Sequence, residues 1–321
     1  MSRAALFSLY ALLVLIWSST WVAIKFGLED SPALLGAGLR FALAGAVLLA
    51  FAALGRRPLR TDWLLVAVLA AMPFALAYGL VYWGEQYIPS GLAAVLFGVL
   101  PLYTGILAGL FLPEEPLRTR LVIGVIIAIG GLALSFAESL NLGHEDLALA
   151  GAAALALAPL GAAVGNVAQK LRARNLDAVT LNGWAMLAGG ALLLGVSALG
   201  EDWGALRLTP ESVGSIVYLA LVGSAVAFVG LTVLLRHLTA QAMSFLAMLL
   251  PFGALLFGAA LYDESLTWRA LAGALLVALG LLIAQGRAAP APEAPASASA
   301  PPPRRGATPA LRDAEAPVRS R

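Results

Sequence analysis

From residue 5 to residue 286 the chain alternates long apolar runs with short polar breaks. A helix needs about 20 predominantly apolar residues to cross a bilayer. On that measure the runs predict ten spans, at 5–28, 33–54, 63–86, 90–112, 119–137, 147–169, 178–199, 213–235, 240–262 and 268–286. The short alternating segments of a membrane β-barrel are absent. The expected fold is therefore all-α and integral to the membrane. The first run is too long for the apolar core of a secretory signal, and no A-x-A site precedes the second, so it is read as a retained helix.

The stretch FLPEEPLRTRLVIGVIIAIGGLAL (111–134) has an echo in LYDESLTWRALAGALLVALGLLIA (261–284). At an offset of 149, Glu115, Leu117, Arg120, Gly124, Gly131 and Leu132 fall on Glu264, Leu266, Arg269, Gly273, Gly280 and Leu281. That offset makes each copy five spans long, and an odd number of crossings inverts the second copy. The expected organisation is a first five-helix repeat over 1–140 and an inverted second repeat over 141–287. Halves related by a pseudo-two-fold axis in the membrane plane are a recurrent plan of secondary transporters, with the substrate at the midplane between them.

Composition supports the membrane reading, with 61% hydrophobic and 12% charged residues, far from the soluble average. Ten basic residues (Arg3, Arg56, Arg57, Arg60, Arg118, Arg120, Lys170, Arg172, Arg174 and Arg236) fall on one side of the predicted bilayer, which the positive-inside rule makes cytoplasmic, with both termini. The net charge of +2 thus describes a sided membrane protein rather than a nucleic-acid binder. From residue 288 to 321 the sequence turns to Ala, Pro, Ser and Arg, which predicts a disordered, dispensable tail. With no cysteine, disulfides, thiolate metal sites and cysteine nucleophiles are excluded.

The motifs IWSSTWVAIKFGL (16–28), GLRFALAGAVLL (38–49), GEQYIPSGLAAVLFGVLPLYTGILAGLFLPEEPL (84–117) and MLLPFGALLFGAALYDESL (248–266) resemble the EamA-type, ten-helix branch of the drug/metabolite transporter superfamily. The resemblance covers residues 5 to 286. It implies export or exchange of a small molecule such as a metabolite, amino acid or toxic compound. One departure is visible in the second half, where the counterpart of LRF reads GWAMLAG (183–189), with Trp184 expected at the place of Arg40.

Helical rise of about 1.5 Å per residue places Trp17, Ser18, Ser19 and Thr20 near mid-membrane. Tyr78, Tyr82 and Tyr103 are expected in the central or outer part, and Asn166 and Gln169 where inversion places the counterpart of the Lys25 region. Of these and their neighbours, Trp17, Ser19, Thr20, Tyr78, Tyr82, Tyr103, Asn166 and Gln169 are the candidate walls of a substrate cavity. Pro101 and Pro251 sit at matching depths as candidate hinges, since proline removes a backbone donor. Lys25, Arg40 and Glu85 form the candidate charge cluster. Because a charge at the helix centre costs roughly 2.5–3.5 kcal/mol on insertion scales, Arg40 is expected either to pair with Glu85, fixing the second span against the third, or to attract a substrate carboxylate into the cavity.

Enzyme chemistries find no support. His144 and His237 lie in loops on opposite sides, which rules against both a zincin H-E-x-x-H and a Ser–His hydrolase, and no Walker A motif is present. Asp263 has no second buried aspartate with which to form an intramembrane aspartyl site. No cofactor or metal is expected. The expected partners are the bilayer and a small-molecule substrate, with monomer and homodimer both open. The functional expectation is a secondary transporter working by alternating access. A non-transporting receptor or assembly factor, or a multidrug efflux carrier, stands as the alternative.

Overall fold

The computed structural model describes residues 1–88, 90–135, 146–262 and 268–285. The tail beyond 287, His144 and Asp263 lie outside the described residues. Among the described residues the elements are helices: α1 (Arg3–Asp30), α2 (Ala33–Leu54), α3 (Trp63–Leu69), α4 (Tyr78–Glu85), α5 (Ser90–Phe97), α6 (Leu100–Phe111), α7 (Thr119–Ser135), α8 (Asp146–Arg172), α9 (Ala178–Gly200), α10 (Pro210–Ala220), α11 (Ala227–Leu235), α12 (Ala240–Ser244), α13 (Leu246–Tyr262) and α14 (Trp268–Gln285). Six continuous stretches are long and apolar enough to cross a membrane: Arg3–Asp30, Ala33–Leu54, Trp63–Glu85, Leu147–Arg172, Ala178–Gly200 and Pro210–Leu235. The remaining predicted spans hold shorter apolar helices, and the fourth and ninth are each broken in two.

The third and eighth spans carry the same irregularity. A π-helical segment, Ala70–Ala77, joins α3 to α4, and another, Leu221–Val226, joins α10 to α11. Such segments are rare and cluster at functional sites, because the i→i+5 pattern disturbs the regular order of backbone carbonyls. Pro73 lies inside the first of them and explains it locally: its ring meets the preceding turn and it has no N–H to donate. Gly223 and Ser224 occupy the second.

Close glycine crossings tie the two halves together. A Cβ at Gly131 would come 2.7 Å from the Gly273 carbonyl oxygen, and one at Gly124 would strike the Gly280 carbonyl, so α7 and α14 pack backbone to backbone. The sequence echo matches Gly124 with Gly273 and Gly131 with Gly280, whereas the contacts join 124 to 280 and 131 to 273. The two helices therefore run antiparallel. Helices α2 and α9 repeat the arrangement: a Cβ at Gly190 would meet the Gly38 carbonyl oxygen at 2.9 Å, and one at Gly45 the Gly183 carbonyl oxygen at 2.7 Å. Matching Gly38 with Gly183 and Gly45 with Gly190 between the two copies, an offset of 145, makes Ala185 the counterpart of Arg40. Trp184 is not the counterpart: its indole N–H reaches the Leu59 carbonyl at 3.3 Å and its ring packs on Trp63.

Candidate functional site

A central cavity of about 80 Å³ lies among α1, the π-helical segment Ala70–Ala77, α4, α5, α6, α8, α11, α12 and α13. Helix α1 contributes Trp17, Thr20, Trp21 and Ile24 to its wall, and α8 contributes Ala162, Gly165, Asn166 and Gln169. Each second-half position lies 145 residues after a first-half one (162 against 17, 165 against 20, 166 against 21, 169 against 24), and both sets have the i, i+3, i+4, i+7 spacing of one helical face. The next residues complete the match, since VAIK ends at Lys25 and VAQK at Lys170. Farther along the repeat Tyr78 and Phe228, Val81 and Leu231, Phe97 and Ala247, and Leu100 and Leu250 also line the cavity, at an offset of 150. Equivalent positions of the two copies thus build one site, with chemically different residues.

That difference makes the site two-sided. On the first-half side the Trp17 ring meets Phe228 edge-on at 5.3 Å, and Trp21 meets Phe97 at 5.7 Å. Opposite them, α8 presents small residues and two amides. Gly161 and Gly165 let α8 press against the π-helical segment, where a Cβ at Gly165 would meet the Pro73 ring at 2.9 Å. Gln169 is fixed by a chain of buried bonds: Asn182 Nδ2 donates to Thr232 Oγ1 at 2.7 Å, and that hydroxyl donates to Gln169 Oε1 at 2.6 Å. Gln169 also lines a second, larger cavity of about 470 Å³, which opens at the end of the bundle among Glu114, Glu115, Lys170, Arg174 and Arg236. It therefore stands in the wall between them.

Arg40 does not bond to Glu85. Its fully buried guanidinium donates through Nε to Ser224 Oγ (2.8 Å), through Nη1 to the Tyr82 hydroxyl (3.4 Å) and through Nη2 to the Gly223 carbonyl (3.3 Å). It also lies 5.0 Å from the Phe41 ring centre and 4.8 Å from that of Tyr78. The π-helical segment of the second half is thus the partner that the expected ion pair was to supply. Trp17 donates its indole N–H to the same Gly223 carbonyl at 3.1 Å, tying a cavity wall to that segment.

The two lysines of the repeated motif do the same job at opposite ends. Lys25 Nζ donates to the carbonyl of Glu85, the last residue of α4, at 2.9 Å. Lys170 Nζ donates to the carbonyls of Leu235, the last residue of α11, at 3.0 Å and of Leu238 at 2.7 Å. A cation on terminal carbonyls satisfies orphan acceptors and opposes the negative end of the helix dipole. Lys170 had no place in the expected site, although the repeated VAxK is the signal that reveals it.

Of the expected cavity walls, the structure brings Trp17, Thr20, Tyr78, Asn166 and Gln169 together. Three others lie elsewhere. Ser19 donates to the Ile16 carbonyl and bonds the Tyr218 hydroxyl, Tyr82 accepts from Arg40, and Tyr103 donates to the Ala156 carbonyl at 3.2 Å. Pro251 lies within α13, but Pro101 is no mid-helix kink: it stands in the first turn of α6, where a missing N–H costs nothing, and its carbonyl accepts from Gln241 at 3.1 Å. The break falls just before it, at Gly98 and Val99.

The profile of the EamA-like transporter family matches the chain twice, over residues 5–137 and 149–285. The chain is 32% identical over 289 residues to the uncharacterized inner membrane transporter YedA of Escherichia coli (strain K12), covering 87% of this chain and 89% of that one. It is 29% identical over 273 residues to the uncharacterized transporter YoaV of Bacillus subtilis (strain 168), covering 84% and 92%. Protein PecM of Dickeya dadantii is 30% identical over 274 residues, covering 84% and 89%. One crystal structure superposes with a TM-score of 0.73 over 88% of this chain and 97% of its own at 21% identity, a likeness of fold. A repeated family match over almost all of 5–285, on an all-helical apolar bundle, makes this chain a multi-pass membrane protein and a member of the EamA-like transporter family.

Proposed function

We propose that the protein is a secondary carrier that exports or exchanges a small metabolite by alternating access, with the central cavity as its binding site. One observation carries this: four equivalent positions on each of α1 and α8 face the same cavity. Antiparallel crossings of α7 with α14 and of α2 with α9 support an inverted relation of the halves. Inversion gives such a carrier two related states, each closed where the other is open. In the state described, the larger cavity opens toward the end where α8 and α11 finish. By the positive-inside rule that end is cytoplasmic, together with both termini.

The lining favours a substrate with an apolar or aromatic body that stacks on Trp17 and Trp21, and a hydrogen-bonding group met by Asn166 and Gln169. Amino acids with large apolar side chains fit that description. Among the described residues, Tyr78 is the one titratable side chain on the cavity wall, which also suits uncharged amphipathic compounds and keeps multidrug efflux as a second reading. A screen separates the two. Titrating metabolites and hydrophobic drugs against the purified protein should quench tryptophan fluorescence for one narrow chemical class, with the response lost in Trp21→Leu. Quenching by many unrelated drugs would favour the efflux reading, and no response from any compound would count against a binding cavity.

A further inference from the structure

Glu85 is fully buried, and among the described residues neither of its carboxylate oxygens has a hydrogen-bond partner. Two cations surround it without bonding it. Lys25 Nζ is spent on the carbonyl of the same residue, and the Arg40 guanidinium on Ser224, Tyr82 and Gly223. Lys25 and Arg40 are also the charges that act on the carboxyl, with Tyr82 one turn back on the same helix. From α8, Gly151 and Leu155 face the adjoining Gly84, and neither is charged; α5 carries no titratable side chain. An ionised carboxylate out of water with no donor is among the most expensive arrangements a protein can hold. Glu85 also lies on neither cavity wall described above, so nothing larger than a proton or a water is needed to satisfy it.

We propose that Glu85 is a proton-binding site, loaded in this conformation and emptied when Lys25 turns from the Glu85 carbonyl to its carboxylate. The ammonium then pairs with the carboxylate, and the displaced proton passes to water at that end of the bundle. Both groups adjoin the cavity wall: Glu85 is one turn beyond Val81, and Lys25 follows Ile24. A change of cavity shape therefore reaches the lysine and the acid together. The coupling of this site to transport rests on the carrier reading, whereas the site itself does not.

Infrared spectroscopy of the purified protein at pH 7 tests it without any substrate. The expected result is a protonated-carboxyl C=O band in the wild type that is absent in Glu85→Gln and shifted in Glu85→Asp. Because glutamine copies the neutral acid, Glu85→Gln should also keep the wild-type melting temperature. No such band in the wild type, or one that persists in Glu85→Gln, overturns the proposal. So does a lowered melting temperature in Glu85→Gln, which would mark an ionised carboxylate held by Lys25 or Arg40. Should Glu85→Gln yield no purified protein, Glu85→Asp decides: a protonated-carboxyl band displaced from the wild-type one supports the proposal, and an undisplaced band overturns it. Loss of solute flux with the band intact would instead count against the carrier.

Discussion

Arg40 heads the fully buried side chains of the bundle by size, and its environment explains how a cation is tolerated there. Three side-chain nitrogens are matched to three acceptors, and two aromatic faces flank the planar group. Hydrogen bonds to a charged group contribute roughly 1.5–3 kcal/mol each, so Arg40→Ala should destabilise the protein by several kcal/mol and lower its melting temperature clearly. Arg40→Lys should recover only part of that loss, because an ammonium cannot span Ser224, Tyr82 and Gly223 at once. An unchanged melting temperature in Arg40→Ala would show that these bonds contribute nothing. The sequence marked Arg40 by its cost but could not name its partners. Ser224 and Gly223 stand 184 and 183 positions away, in a segment whose π-helical geometry leaves no trace in hydrophobic periodicity.

At the scale of helices, the ends are tied across the halves by reciprocal caps. Asp62 accepts from the Leu65 N–H at 3.1 Å and pairs with Arg172 at 2.6 Å. Asp177 accepts from the Thr180 N–H at 2.9 Å and pairs with Arg57 at 2.9 Å. The hydrogen bond from Arg172 holds the Asp62 carboxyl below its usual range. For Asp177, burial pushes upward, but the Thr180 N–H and Arg57 together outweigh it and the carboxyl is lowered as well. A carboxyl lowered on folding adds stability that is fully present above its unfolded pKa, about 3.9, and fades as pH falls through the lower folded value. Asp177→Ala should therefore cost about 1 kcal/mol at pH 7 from the lost cap. The gap to wild type should shrink as the pH drops below about 4, as thermal unfolding across pH can show; a gap constant down to strongly acid pH would contradict this assignment. These helix starts were legible in the sequence from their spans. The cross-half pairs were not, since surface arginines are common and nothing local distinguishes Arg57 from Arg56.

For the whole molecule, the duplication was legible because the 111–134 echo is dense in identities. A single offset of 149 was too simple: α1 with α8 needs 145 and the cavity-lining part of the third and fourth spans 150, a drift that loops of different length produce. That drift hid the eight matched pairs of wall positions and Lys170. The same matched site leads to a prediction about access. The native chain has no cysteine, so single introduced thiols report cleanly. Arg174→Cys, in the larger cavity, should react with a water-soluble thiol reagent. Asn166→Cys should be protected, and should become reactive when Gln169→Ala is added, because Gln169, held by Thr232 and through it by Asn182, separates the cavities. Equal labelling of Asn166→Cys in both backgrounds would remove Gln169 from that role.

Solute flux in liposomes containing only the purified protein tests most directly whether the central cavity is a transport site. The account predicts flux of the compound that quenches tryptophan fluorescence. Trp21→Leu and Asn166→Leu, one change on each matched face, should each abolish that flux while leaving insertion and melting temperature close to wild type. Flux that survives both substitutions, or no flux of any compound that binds, would contradict it.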